Sequence, residues 1–111
     1  LKNIMPYIVG MHADAVDPIE PPPHGDVELA ELRRQYGMDI VLIGNIEIRD
    51  LESMEPNEFE KVVAKSLRDG TSGEGRGFIL MPSSAPYGRR ISPRTLTNYE
   101  TMVRMAEDFA A

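Results

Sequence analysis

Three short segments hold most of the residues whose types and spacing suit chemistry. The first runs Asp17-Pro18-Ile19-Glu20-Pro21-Pro22-Pro23-His24-Gly25-Asp26, the second is Gly44-Asn45-Ile46, and the third runs from Met81 through Ser83, Ser84 and Tyr87 to Arg89 and Arg90. Asp17 and Glu20 are carboxylates able to act as acid, base or cation ligand, or to sit in a solvated loop stiffened by prolines. Asn45 carries an amide that donates and accepts, toward a ligand or toward nearby backbone. Ser83 and Ser84 can hydrogen-bond a carboxylate or phosphate, or serve as turn residues. As nucleophiles they would need a neighbouring base, and the sequence shows none. Arg89 and Arg90 can clamp an anionic group through paired N–H donors, or form a solvated charge pair. Tyr87 roofs such a site or packs its loop. His12 and His24 stand apart, without the spacing of a metal-binding pair. Asp26 reads as a helix N-cap.

Composition narrows the function classes. The 111 residues suit one domain. With 12 basic and 18 acidic side chains the formal charge is -6, the wrong sign for displacing counterions from nucleic-acid phosphates. The absence of cysteine excludes disulfides, thiolate-bound zinc and cysteine nucleophiles from this chain. No apolar run approaches the roughly 20 residues of a membrane span, and no signal peptide opens the sequence, so a cytoplasmic protein is expected. The 7 methionines are scattered on apolar faces and read as core filler. An opening at Leu1 without Met suggests a piece of something longer.

These segments need elements to hold them. Leu1, Ile4, Met5 and Ile8 share a helical face, with Pro6 tolerated in a first turn and Gly10 as a stop. A strand is expected near 13–18 and a proline-bound loop near 20–25. A helix near 26–36 follows from Leu29, Leu32 and Tyr36, closed by Gly37. Ile40 to Ile43 is a continuous apolar run, the mark of a strand covered on both faces. Pro56 suits a first helical position, and Phe59, Val62, Val63 and Leu67 make an amphipathic stripe that Gly70 closes. Phe78 to Met81 forms a second buried strand. Ser92-Pro93 is a helix start, followed by Leu96, Tyr99, Met102, Val103, Ala106 and Phe109 over about 93–108.

The glycine-rich stretch from Gly70 to Gly77 is not a phosphate loop. It precedes a strand instead of leading from one into a helix, and it lacks the Lys-Ser/Thr ending. Strands alternating with helices predict βαβ units and a parallel sheet of three strands with four helices. A sheet that small leaves both edges open. A (β/α)8 barrel needs about 250 residues, so the chain is expected to supply under half of one. A free-standing three-strand domain is the competing architecture.

The three segments in order, "IEPPPHGD", "LIGNI" and "GFILMPSSAPYGRRISPRTLTNY", resemble the C-terminal part of the uroporphyrinogen decarboxylase family, which also includes corrinoid and coenzyme M methyltransferases. The resemblance covers essentially the whole chain. It implies a single domain over 1–111 that is the C-terminal portion of a (β/α)8 TIM barrel, with the active cleft at the strand C-termini. It implies a small anionic, tetrapyrrole-like substrate, with Asn45, Ser83, Ser84, Asp17 and Arg89 as the binding residues. No cofactor, metal, nucleic acid or membrane is expected, and a homodimer is.

The departures from the family pattern matter. Family decarboxylases follow the last strand with Gly-His-Gly, and the zinc methyltransferases place a cysteine there. Ser84 stands at the matching position. The family's upstream substrate-binding and metal-binding residues fall outside this chain. The expectation is a piece of a decarboxylase-like enzyme, inactive by itself. The alternatives are a piece of a corrinoid-dependent methyltransferase, a non-catalytic dimerising half-barrel, and a pocket binding a small anion through Ser83, Ser84 and Arg89.

Overall fold

The computed structural model describes residues 1–110. The element order is α1 (Met5–Gly10), β1 (Ala15–Ile19), α2 (Leu29–Tyr36), β2 (Val41–Ile46), α3 (Ile48–Ser53), α4 (Pro56–Thr71), β3 (Phe78–Pro82) and α5 (Pro93–Ala110). The strands form one open sheet in the order β1-β2-β3, with both neighbouring pairs parallel. The expected α/β alternation and the three parallel strands are present.

Local chemistry accounts for most element boundaries. Pro6 and Pro56 lie in the first turns of their helices, where an N–H would lack an intrahelical partner in any case. Ser92 caps α5: its Oγ accepts the Thr95 N–H at 3.1 Å. Pro18 lies within β1, an edge strand, where a missing N–H costs least. The β1–β2 register shifts between Val16 and Ile19, across that proline.

Four expectations change. Asp26 is not the cap of α2. The helix begins later, after Glu28, because Val27 is drawn into the core. Asp26 instead accepts the Lys2 N–H at 3.0 Å; that bond first, and the amino terminus second, hold its carboxyl below the usual range. Gly70 does not end α4, which continues to Thr71. A Cβ at Gly70 would meet the Phe78 ring at 2.4 Å, so the glycine lets helix and strand approach. A fifth helix, α3, stands beside the four expected; it has only six residues, too few to show a period. The fourth change concerns the apolar strands, which are covered on one face only.

That last point follows from topology. Crossovers that advance in one direction with the usual right hand place both helices on the same face. Accordingly α2 packs on α4, and α4 on α5. One core cluster joins Met5, Val16, Ile19, Leu29, Leu32, Ile40 and Leu42. A second joins Ile46, Ile48, Leu51, Phe59, Val63, Leu67 and Met102. Among the described residues the opposite sheet face has no helix layer. Val41, Ile43 and Met81 are only half-buried, and Ile79 is 51% exposed. No helix of the described residues is long and apolar enough to cross a membrane.

Candidate functional site

Parallel strands end on one side of their sheet, and that edge is where α/β folds place ligands. Here the ends are nearly level: Ile19 pairs with Gly44, and Asn45 and Ile46 pair with Met81 and Pro82. The loops carrying Glu20 to Asp26, Glu47, and Ser83 to Ile91 therefore leave from one edge. Asn45, Ser83 and Ser84 are brought to this side; Asp17, expected at the start of the loop, lies mid-strand in β1, two residues before its end.

Their side chains differ in what remains available. Asn45 is 7% exposed. Its Nδ2 donates to the Ile19 carbonyl at 3.0 Å, and its Oδ1 accepts from Ser66 Oγ of α4 at 3.4 Å. The amide is turned to the helix layer, where it ties β1 to β2 and both to α4. Gly44, at φ +142°, makes that turn: a Cβ there would come within 2.7 Å of the Ile19 oxygen.

Ser83 is also engaged. Its N–H donates to the Ile46 carbonyl at 2.7 Å, and its Oγ accepts the Ile48 N–H at 3.3 Å, a donor at the start of α3 that the helix itself cannot satisfy. Glu47 accepts the Arg49 N–H at 2.8 Å and completes that cap. Ser84 is exposed, and among the described residues its Oγ bonds only the Ala85 carbonyl at 3.4 Å. Among the described residues neither serine is hydrogen-bonded to a carboxylate or histidine, so they show no activated nucleophile.

Arg89 and Arg90 are exposed and make no hydrogen bond or ion pair among the described residues. Their loop is held at its base. The Tyr87 N–H donates to Glu52 Oε1 at 2.6 Å, and Arg94 reaches the Ser53 carbonyl and Glu55, each at 3.2 Å. Asp17 is exposed on β1, likewise unpaired among the described residues. The edge therefore presents free guanidinium donors after β3, and β1 carries a free carboxylate two residues below its end.

Sequence reasoning misses the group beneath this edge. Asp50 of α3 is pushed up from the ordinary carboxylate range, first by burial and then by Glu47, with His24 of the first loop opposing. Lys65 is raised by its 2.7 Å bond to Asp69, against its partial burial, with help from Glu28. Asn45, Asp50, Lys65 and Ser66 line a cavity of about 210 Å³ on the helix side of β2. No local pattern could have signalled it, since its walls come from three elements, β2, α3 and α4, and from the loop that follows β1. Larger depressions, about 690 Å³ beside Arg33 and about 610 Å³ between α4 and α5, touch none of the five candidate residues. Among the described residues, no three His, Asp or Glu side chains converge as a metal-ligand set.

Comparison of the chain with protein-family models, with curated proteins and with solved structures finds no match.

Proposed function

We propose that the chain is the C-terminal portion of a (β/α)8 barrel of the uroporphyrinogen decarboxylase type. In this reading its strand C-terminal edge forms one wall of a cleft for a small anionic, tetrapyrrole-like substrate. The observation that supports the reading most is the one-sided sheet. Three sequential parallel strands carry every crossover helix on one face and leave the other face apolar and open. A doubly wound sheet would cover both faces; a barrel segment keeps the second face for the barrel interior.

Within that cleft the free guanidinium groups of Arg89 and Arg90 pair with substrate carboxylates through parallel N–H donors. Asp17, two strands away, accepts an N–H from the ligand's body. Asn45 and Ser83 act one step removed, by fixing the strand ends and the start of α3. Ser84 supplies neither an imidazole nor a thiolate, so the chain by itself binds and does not decarboxylate.

Fluorescence titration with uroporphyrin, an octacarboxylate, tests the reading. Saturable binding is expected. The Arg89→Ala/Arg90→Ala variant should bind at least about tenfold more weakly, since each lost charge-assisted hydrogen bond is worth roughly 1.5–3 kcal/mol. Coproporphyrinogen should not form from uroporphyrinogen above a no-protein control. Absence of saturable binding, or binding indifferent to the double substitution, would refute the assignment.

A further inference from the structure

Helix α3, the short element that no sequence period announces, is fastened at both ends to the segment from Ser83 to Asn98. At its start the Ile48 N–H donates to Ser83 Oγ at 3.3 Å. One turn later Glu52 Oε1 accepts the Tyr87 N–H at 2.6 Å. At its end Arg94 donates to the Ser53 carbonyl, and Asn98 Nδ2 donates to the Leu51 and Met54 carbonyls at 3.0 and 2.9 Å. Ser83 is fixed by the Ile46 carbonyl at 2.7 Å, and Ser92 by its cap on α5. Among the described residues, the Tyr87 bond is the one hydrogen bond that ties 84–91 to another part of the chain. Without Glu52 the untethered run would be 84–91. With it the run shortens to 88–91, the four residues that hold both arginines, with Gly88 turning at φ +86°. The Glu52 charge is spent on an amide N–H. It therefore shortens the loop without neutralising the guanidinium groups.

We propose that Glu52 is a positioning residue for the anion-binding loop. By accepting the Tyr87 N–H it orders the stretch that presents Arg89 and Arg90 at the strand C-terminal edge. This role rests on the reading of that edge as a substrate wall. Both arginines are exposed, and no bond of their own holds them among the described residues. A ligand that bridges them to the edge must therefore keep the loop in one arrangement. Doubling the untethered length from four residues to eight makes that about threefold less favourable. Residues 84–87, ordered only on binding, would add to the cost. A carboxylate on a main-chain N–H is a charge-assisted bond, stronger than a neutral one. A carboxamide in its place keeps the acceptor, whereas a methyl group removes it.

Glu52→Ala and Glu52→Gln are compared with the parent chain, with circular dichroism checking the fold of each. Trypsin cuts after arginine, so its initial rate at Arg89 and Arg90, read by mass, reports how readily the loop opens. Glu52→Ala should raise that rate at least about threefold, with cutting after Arg76 in the α4–β3 loop unchanged. Glu52→Gln should stay close to the parent. Uroporphyrin affinity should fall at least about threefold in Glu52→Ala and be kept in Glu52→Gln. In the Arg89→Ala/Arg90→Ala background Glu52→Ala should have no further effect on affinity, because the groups it positions are gone. An unchanged trypsin rate in Glu52→Ala overturns the proposal. So does a Glu52→Gln variant that behaves like Glu52→Ala, or an equal loss of affinity with and without the two arginines. Trypsin cleavage uses no ligand. If the parent fails to bind uroporphyrin while Glu52→Ala still speeds cleavage, the substrate reading falls and Glu52 still holds the loop.

Discussion

Replacing Gly44 with alanine attacks the point where strand pairing and the candidate edge meet. Two costs add there. Gly44 sits at φ +142°, in a region that costs a residue with a side chain roughly 1–3 kcal/mol. The new Cβ would also lie 2.7 Å from the Ile19 oxygen and 3.0 Å from its nitrogen. Both atoms are main chain, held by the β1–β2 ladder, so relief requires β1 to move as a whole. Overpacking of that kind costs about 1–3 kcal/mol. The sum, roughly 2–6 kcal/mol, is a large fraction of the 5–15 kcal/mol typical of a folded domain. Any movement of β1 also lengthens the Asn45-to-Ile19 bond, now 3.0 Å. Gly73 provides the control. Its φ is +62° and nothing lies within 4 Å of its Cβ position, so Gly73→Ala carries a conformational cost only, about 1–2 kcal/mol. Urea denaturation followed by far-ultraviolet circular dichroism gives both values. The expected order is Gly44→Ala well below Gly73→Ala in midpoint, with similar slopes. A Gly44→Ala variant within about 0.5 kcal/mol of the parent, the usual range for surface changes, would refute the reasoning.

Gly70→Ala should destabilise even though alanine is the better helix former by about 1 kcal/mol, because its Cβ meets three Phe78 ring atoms within 2.6 Å. Phe78→Leu in the same chain should restore part of the loss, and strict additivity in the double-mutant cycle would count against a direct clash. Asp50→Asn should raise the melting temperature at neutral pH. The fold raises this carboxyl above its unfolded value of 3.8 through burial and Glu47. Its stabilising contribution is therefore present below pH 3.8 and lost as pH rises through the folded value. The advantage of asparagine should vanish in acid, and an equal or lower melting temperature for Asp50→Asn at pH 7 would contradict the account.

Much of the architecture is written in the sequence because its signals are local. Pro56 marks a helix start by lacking an N–H where none is needed, and Ser92 marks one by a hydrogen bond made within a turn. The stripe of Phe59, Val63 and Leu67 declares a buried helix face through spacing alone, and the alternation of such stripes with apolar runs declares parallel strands. Single residues with several possible partners depend on what folding brings near them. Asp26 has the type of an N-cap but lies beside the Lys2 amide. Asn45 has the type of a ligand contact, yet a positive-φ glycine before it turns the amide toward Ser66, 21 positions along the chain. Ser83 meets the first donor of α3 from 35 positions away. The one-sided cover of the sheet is also tertiary. Val41, Ile43 and Ile79 are apolar in the manner of strands buried on both faces. Only the common hand of two crossovers decides that one of those faces receives no helix. Hydrophobic pattern reports what a residue prefers to bury, and topology determines which atoms arrive to cover it.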